Sequence, residues 1–254
     1  MDTPGFRGKV ALVTGSSRGI GRAIAEAFGR AGADVVVNHR DAGPAATARA
    51  DEVCERIRSA GVRSLVVRAD VAQRQEVRRL VAETTREMGR LDFLVLNAAR
   101  APFKPIERLL ERELRQLVET NFLGQIFCLR EALPSLEATG GRVVFISSLG
   151  SRFAAPAYPL GSMKAAMEAV VRDCAERLGE RGVGVNAVCG GIARTDSFKV
   201  LRQVWERLAE VPDRLFVEPE EIADVVLFLC SPAARGIRGQ TLVVDRGLAN
   251  RGPG

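Results

Sequence analysis

Long apolar runs are missing from this sequence, and none approaches the roughly 18 residues that a membrane-spanning helix needs. The opening M-D-T-P-G-F-R-G-K-V also lacks the basic region and apolar stretch of a signal peptide, so a cytoplasmic chain with no membrane partner is expected. Histidine is almost absent. His39 stands alone, which leaves a histidine-dependent triad without its base unless that residue falls in the site; otherwise it reads as a loop histidine. The five cysteines, Cys54, Cys128, Cys174, Cys189 and Cys230, are scattered, with no C-x-x-C and no histidine beside them. No metal centre or redox pair is therefore expected, and reduced packing thiols are. Linkers of low complexity, internal repeats and composition breaks are lacking too, so residues 1–254 read as one domain.

What is there suits one large folded unit, since 254 residues with 46% apolar content can bury a continuous core. The formal charge of +6 arises from basic residues interspersed with acids, as in E-R-E-L-R-Q and D-E-V-C-E-R-I-R. Solvated, arginine-studded helix faces explain that pattern, and no nucleic-acid partner is expected. A basic rim would still steer an acidic or phosphorylated ligand.

Short β-branched runs at 10–13, 35–37, 65–67, 93–96, 143–146, 183–188 and 242–244 alternate with amphipathic segments of helical length. Such β-α-β repetition predicts an α/β fold, a doubly wound Rossmann-type, mostly parallel seven-stranded sheet with helices on both faces. The rhythm breaks at about 190–218. Phe198, Val200, Leu201, Val204, Trp205 and Leu208 lie on this insertion, which emerges where a doubly wound sheet binds its ligands. It reads either as an apolar substrate lid or as an ordinary packed helix.

V-A-L-V-T-G-S-S-R-G-I-G-R-A-I-A sets Gly15, Gly19 and Gly21 directly between a strand and a helix. Small residues let the backbone turn tightly against a phosphate, and a helix amino terminus offers unpaired N–H donors and the positive end of its dipole. Nucleotide binding is expected, with the strand before and the helix after lending the glycine trio its meaning.

With T-G-S-S-R-G-I-G in a G-x-x-x-G-x-G spacing, the chain resembles the short-chain dehydrogenase/reductase family over essentially its whole length. The resemblance implies a dinucleotide held by Gly15, Ser17, Arg18, Gly19, Ile20 and Gly21, by Asp70 and Val71 in R-A-D-V, and by Asn97 and Ala98 in N-A-A. It adds Lys164 at the ribose, with Gly191, Ala193 and Thr195 of V-N-A-V-C-G-G-I-A-R-T-D at the nicotinamide. Asn121 in E-T-N-F-L-G and Ser148 in I-S-S match catalytic positions of the family. After the second strand, V-V-V-N-H-R-D offers Asn38 and Arg40, with Asp41 one step further, and Arg18 sits in the glycine turn. Arginine attracts a ribose 2'-phosphate that a carboxylate would repel, so NADP(H) is expected over NAD(H). The family usually has asparagine at Leu96, glycine at Ala99, proline at Gly190 and, most consequentially, tyrosine at Leu160, four residues before Lys164.

A tyrosine instead stands at Tyr158, in A-Y-P-L-G-S-M-K. Six residues apart on one helix lie about 120° out of register. Pro159, however, suits the start of a helix and biases the residue before it toward extended geometry, so Tyr158 is expected to precede the helix and to reach the substrate from there. Within the family the enoyl-acyl carrier protein reductases space this pair more widely, as Y-x-x-x-x-x-x-K. I-S-S-L-G-S, N-A-A, V-N-A-V-C-G-G and R-G-Q-T-L-V-V-D resemble their type III members.

That likeness implies NADPH-dependent reduction of an enoyl thioester, carried free or on a carrier protein, with Tyr158 as donor to the enolate oxygen. Lys164 is expected on the cofactor ribose and as a cation favouring the ionised phenol. Ser148 then lines the pocket, and Asn121 either holds a relay water or satisfies helix backbone. A ketoreductase or alcohol dehydrogenase, and a non-catalytic dinucleotide-binding sensor or subunit, remain open alternatives. Resemblance also implies a homodimer or homotetramer joined through segments 111–136 and 160–178, with R-G-Q-T-L-V-V-D near another interface.

Overall fold

A computed structural model of the chain describes residues 5–154, 158–196, 198, 208 and 210–251. Valine-rich runs form seven strands: β1 (Val10–Val13), β2 (Asp34–His39), β3 (Ser64–Arg68), β4 (Phe93–Leu96), β5 (Arg142–Ser148), β6 (Gly184–Gly190) and β7 (Thr241–Val244). They build one parallel sheet in the order β3-β2-β1-β4-β5-β6-β7. All seven expected strands are present: β1 and β4 match their apolar runs, and the other five are one to three residues longer.

The helices between them are α1 (Gly19–Arg30), α2 (Pro44–Arg58), α3 (Arg74–Met88), α4 (Glu111–Val118), α5 (Gly124–Thr139), α6 (Leu160–Gly179) and α7 (Pro219–Cys230). Strand alternation sends Ala11 and Val13 to one face, with Phe6, Phe28 and Phe93 and the apolar sides of α1, α2 and α7. Val10 and Leu12 face the other way, into a core shared with Leu80, Leu136 and Phe145 and supplied by α3, α5 and α6. Burial on both faces is why the central strands β1 and β4 read as continuous apolar runs.

The order reverses between β1 and β4, where sequence neighbours leave in opposite directions. That is the switch point at which doubly wound sheets bind ligands, beyond the carboxyl ends of the strands. A π-helical stretch, Glu119–Leu123, joins α4 to α5 there and carries Asn121.

His39 ends β2 and does not lie in a loop. It is buried with Nδ1 unpartnered, and burial holds its pKa below the usual value. Cys54, Cys128, Cys189 and Cys230 are buried free thiols, and Cys174 is half-buried. Of the 190–218 insertion, Val200, Leu201, Val204 and Trp205 lie outside the described residues. Phe198 packs edge-on against Phe216 at 4.9 Å, and Leu208 is buried. Among the described residues no helix is long and apolar enough to cross a membrane.

Candidate active site

The glycine turn is bolted to its neighbours by side chains that reach backbone. Gly15 N–H donates to Asn38 Oδ1 at 3.0 Å, and Asn38 Nδ2 donates to the carbonyls of Val67 and Ala69, both at 3.1 Å. Thr14 Oγ1 donates to the Val95 carbonyl and accepts the N–H groups of Asn97 and Ala98. Asn97 Nδ2 in turn donates to the carbonyls of Thr14 and Gly15. The carboxyl ends of β1, β2, β3 and β4 therefore hold one another, with few mobile parts.

This geometry requires glycine. Gly15 has φ of +64°, and a Cβ on Gly21 would stand 2.4 Å from both the Gly15 carbonyl oxygen and Asn97 Nδ2. Helix α1 begins at Gly19 with no acidic residue in its first turn and no side-chain cap, so its amino-terminal donors face outward unopposed. Ser17, Arg18 and Gly19 line a cavity of about 390 Å3 that Thr195 closes from the far side. The Thr195 methyl lies 3.5 Å from where a Gly19 Cβ would be, which brings the loop after β6 against the glycine turn. Ile20 packs into the core beneath. A close-approach turn with open helix donors fits a dinucleotide pyrophosphate.

At the end of β2, Asn38 is turned inward and fully engaged, so it is not available to a ribose as the sequence suggested. Arg40 is exposed and pairs with Asp41 Oδ1 at 3.0 Å. Asp70 Oδ1 caps the Ala72 N–H at 3.0 Å while its own N–H donates to Glu76. The Val71 side chain is core, which leaves its backbone for any ligand contact. Across the switch point, Gly191 N–H bonds the Val244 carbonyl at 2.8 Å and Ala193 bridges to Val217, fixing the loop that carries Thr195.

Ser148 ends β5 with a buried Oγ that makes no well-formed hydrogen bond. Tyr158, the chain's only tyrosine, lies outside α6, which starts at Leu160 behind Pro159 (φ −64°). Its ring packs on Gly150 and tilts over Phe103 at 5.8 Å between centroids. A Cβ on Gly161 would stand 2.1 Å from the Gly150 carbonyl oxygen, so a glycine in the first turn of α6 is what lets the Tyr158 segment close on the strand exit. Leu160, where the family has tyrosine, is buried.

Burial pushes the Tyr158 phenol up to about 12, and the facing Ser148 hydroxyl offsets this only in part. The sequence had led us to expect the opposite, with Lys164 drawing the phenol toward ionisation. Lys164 instead turns inward: its ammonium donates to the Ile146 carbonyl at 2.5 Å and sits 4.6 Å over the Phe145 ring. Desolvation lowers Lys164 to about 8, against the opposing influence of Cys189 and Glu168. Tyr158 therefore keeps its proton at neutral pH. Asn121 uses its whole side chain on backbone, donating to the carbonyls of Arg100 and Leu117 and accepting from Arg100 N–H.

Sequence reasoning missed three residues here. Gln125 bonds the carbonyls of Ala98 and Thr120 and keeps a buried, unpartnered Oε1. Phe103 faces Tyr158 from a loop with no periodicity to flag it. Glu168 is buried beside the site, and only its helical spacing of four from Lys164 hinted at a shared face.

Glycine turn, switch point and a donor beyond the strand ends together define a dinucleotide-dependent oxidoreductase of Rossmann type. The family profile described as enoyl-(acyl carrier protein) reductase matches residues 15–249. The 1-cyclohexenylcarbonyl-CoA reductase of Streptomyces collinus is 38% identical, covering 96% of this chain and 88% of its own length. The 3-oxoacyl-(acyl-carrier-protein) reductase FabG of Staphylococcus aureus is 34% identical over 94% of this chain and 98% of its own. A dehydrogenase/reductase structure from Sinorhizobium meliloti 1021 superposes with a TM-score of 0.84 at 31% identity, covering 95% of each chain. The chain belongs to the short-chain dehydrogenase/reductase family, and it is an oxidoreductase that uses a nicotinamide dinucleotide.

Proposed function

We propose that this enzyme reduces the carbon–carbon double bond of an enoyl thioester with NADPH, and that Tyr158 protonates the enolate. The observation that carries this reading is the placement of Tyr158 ahead of α6, facing the Ser148 hydroxyl, while a buried Leu160 fills the helical position. When bound, the cofactor supplies a hydride to the β-carbon of the substrate. Electron density then moves onto the thioester oxygen, where the phenol's hydrogen bond is stronger in the transition state than before it. Ser148, its hydroxyl facing the phenol, orients Tyr158 or the same oxygen. Lys164 holds the ribose edge from within the fold, and Asn121 fixes the backbone at Arg100 on the opposite wall.

Gly15, Ser17, Arg18, Gly19, Ile20 and Gly21 hold the pyrophosphate in this reading, with Asp70, Val71, Asn97 and Ala98 at the adenosine and Gly191, Ala193 and Thr195 at the nicotinamide. Preference for NADP(H) rests on Arg18 and Arg40, the latter in an exposed ion pair that a 2'-phosphate can outcompete. Segment 190–218 acts as the lid of a one-domain enzyme. Exposed Leu114, Leu123, Phe228 and Val243 support assembly as a homodimer or homotetramer. A cytoplasmic location and a CoA- or carrier-bound acyl substrate complete the reading.

Carbonyl reduction is the second reading, favoured by the retained Ser148. A panel of enoyl and 3-oxoacyl thioesters assayed with NADPH and NADH separates the two. Enoyl reduction with NADPH is the expected outcome; turnover of the 3-oxoacyl members alone replaces the proposal with the second reading.

A further inference from the structure

Beside the site lies a buried acid for which the reaction has no use. Glu168 stands one turn after Lys164 on α6, with both residues nearly closed to solvent. Its Oε1 accepts the hydroxyl of Ser147 and, at 2.6 Å, that of Ser151. Those serines bracket Ser148, one immediately before it and one three residues after. Arg152, from the same turn, approaches the other oxygen at 3.7 Å. A carboxylate placed this deep is costly unless its charge and lone pairs are used. Here it ties the exit of β5 to the helix that carries Lys164.

We infer that Glu168 is a positioning residue: its carboxylate clamps the Ser147–Ser151 turn around Ser148 and, one helical turn from Lys164, keeps that ammonium charged inside the fold. The inference rests on the reading of Ser148, Tyr158 and Lys164 as the working site. Several groups among the described residues face Lys164. They are Glu168 on its own helix, the Cys189 thiol of β6, the Phe145 ring and the Ile146 carbonyl of β5, with Arg152 beyond Glu168 and Asp245 beyond Cys189. Glu168 is the carboxylate that acts on Lys164 from one helical turn away, so its removal takes that counter-charge from a desolvated ammonium.

The chain has only four lysines, Lys9, Lys104, Lys164 and Lys199, so the charge on Lys164 can be read directly. Full-length protein carrying 15N-labelled lysine is titrated by NMR, with the Lys164 resonance assigned by its loss in Lys164→Arg. In Glu168→Gln the Lys164 midpoint is expected to fall by about one unit or more, as loss of a nearby opposite charge requires. Glu168→Asp should restore most of the shift. The alkaline limb of kcat is expected to move in parallel. Should Glu168→Gln not fold, Glu168→Met, of similar volume and apolar, carries the same titration. An unchanged Lys164 midpoint overturns the inference, as does failure of both variants to fold, which would assign Glu168 to folding alone. The titration needs no substrate, so its failure is distinct from failure of the enoyl-reductase reading, which the thioester panel tests.

Discussion

Apart from His39, buried at the end of β2 with Nδ1 unpartnered, the glycine-turn half of the site and the Tyr158 half treat their polar groups in opposite ways. At the ends of β1 to β4, Thr14, Ser16, Asn38 and Asn97 use their side chains on neighbouring backbone, which leaves a rigid cradle. At the end of β5 and the start of α6 the Ser148 hydroxyl has no well-formed partner, Tyr158 is pushed up to about 12 and Lys164 down to about 8. Perturbed and unsatisfied groups gather where chemistry is done, because a group already satisfied by the fold has little to offer a transition state. One half is finished by folding; the other is finished by its substrate.

Paired substitutions sharpen that contrast most. Asn38→Ala strands the Gly15 N–H and the carbonyls of Val67 and Ala69, and is expected to cost at least about 2 kcal/mol of unfolding free energy. Ser148→Ala removes a buried hydroxyl that faces the Tyr158 phenol and holds no backbone group, so it should leave stability within about 0.5 kcal/mol while lowering turnover. Urea denaturation of both variants checks the pair; equal losses would erase the distinction between the halves.

The pH dependence of turnover comes next. Lys164 at about 8 lies below the ordinary lysine value, so its ammonium is lost as pH rises through about 8. Turnover should therefore fall above that pH, whereas Tyr158 at about 12 stays protonated throughout. A kcat profile from pH 6 to 10 that stayed flat would remove Lys164's charge from the account. The smallest effect belongs to the cradle's rim. Arg40→Ala should weaken NADPH binding roughly tenfold, the worth of one charge-assisted bond, and leave NADH unchanged in a fluorescence titration.

Much of this was legible beforehand. Apolar runs marked all seven strands, most completely in β1 and β4, where burial on both faces demands apolar residues at every position, whereas the edge strands β3 and β7 are only partly buried. The glycine turn was legible because close backbone approach admits no other residue at Gly21. Pro159 correctly marked the start of α6. The direction of Lys164 was not legible, since a lysine on an amphipathic helix gives no sign of turning toward a strand carbonyl. His39 was read as a loop residue because one polar residue after V-V-V-N resembles a strand's end, and burial at that end is a tertiary fact. Nor could Glu168 be read, because its partners Ser147 and Ser151 lie about twenty residues away and meet it only when β5 packs on α6.

The proposed catalysis turns on the chain's one tyrosine. Tyr158→Phe, assayed with NADPH on the preferred enoyl thioester under single-turnover conditions, measures the hydroxyl alone, since the ring and its packing on Phe103 are kept. The account predicts a loss of about 100-fold or more in the chemical step, typical of removing one transition-state donor, with NADPH affinity nearly intact. Full activity in Tyr158→Phe would contradict it and pass the proton to water or another side chain.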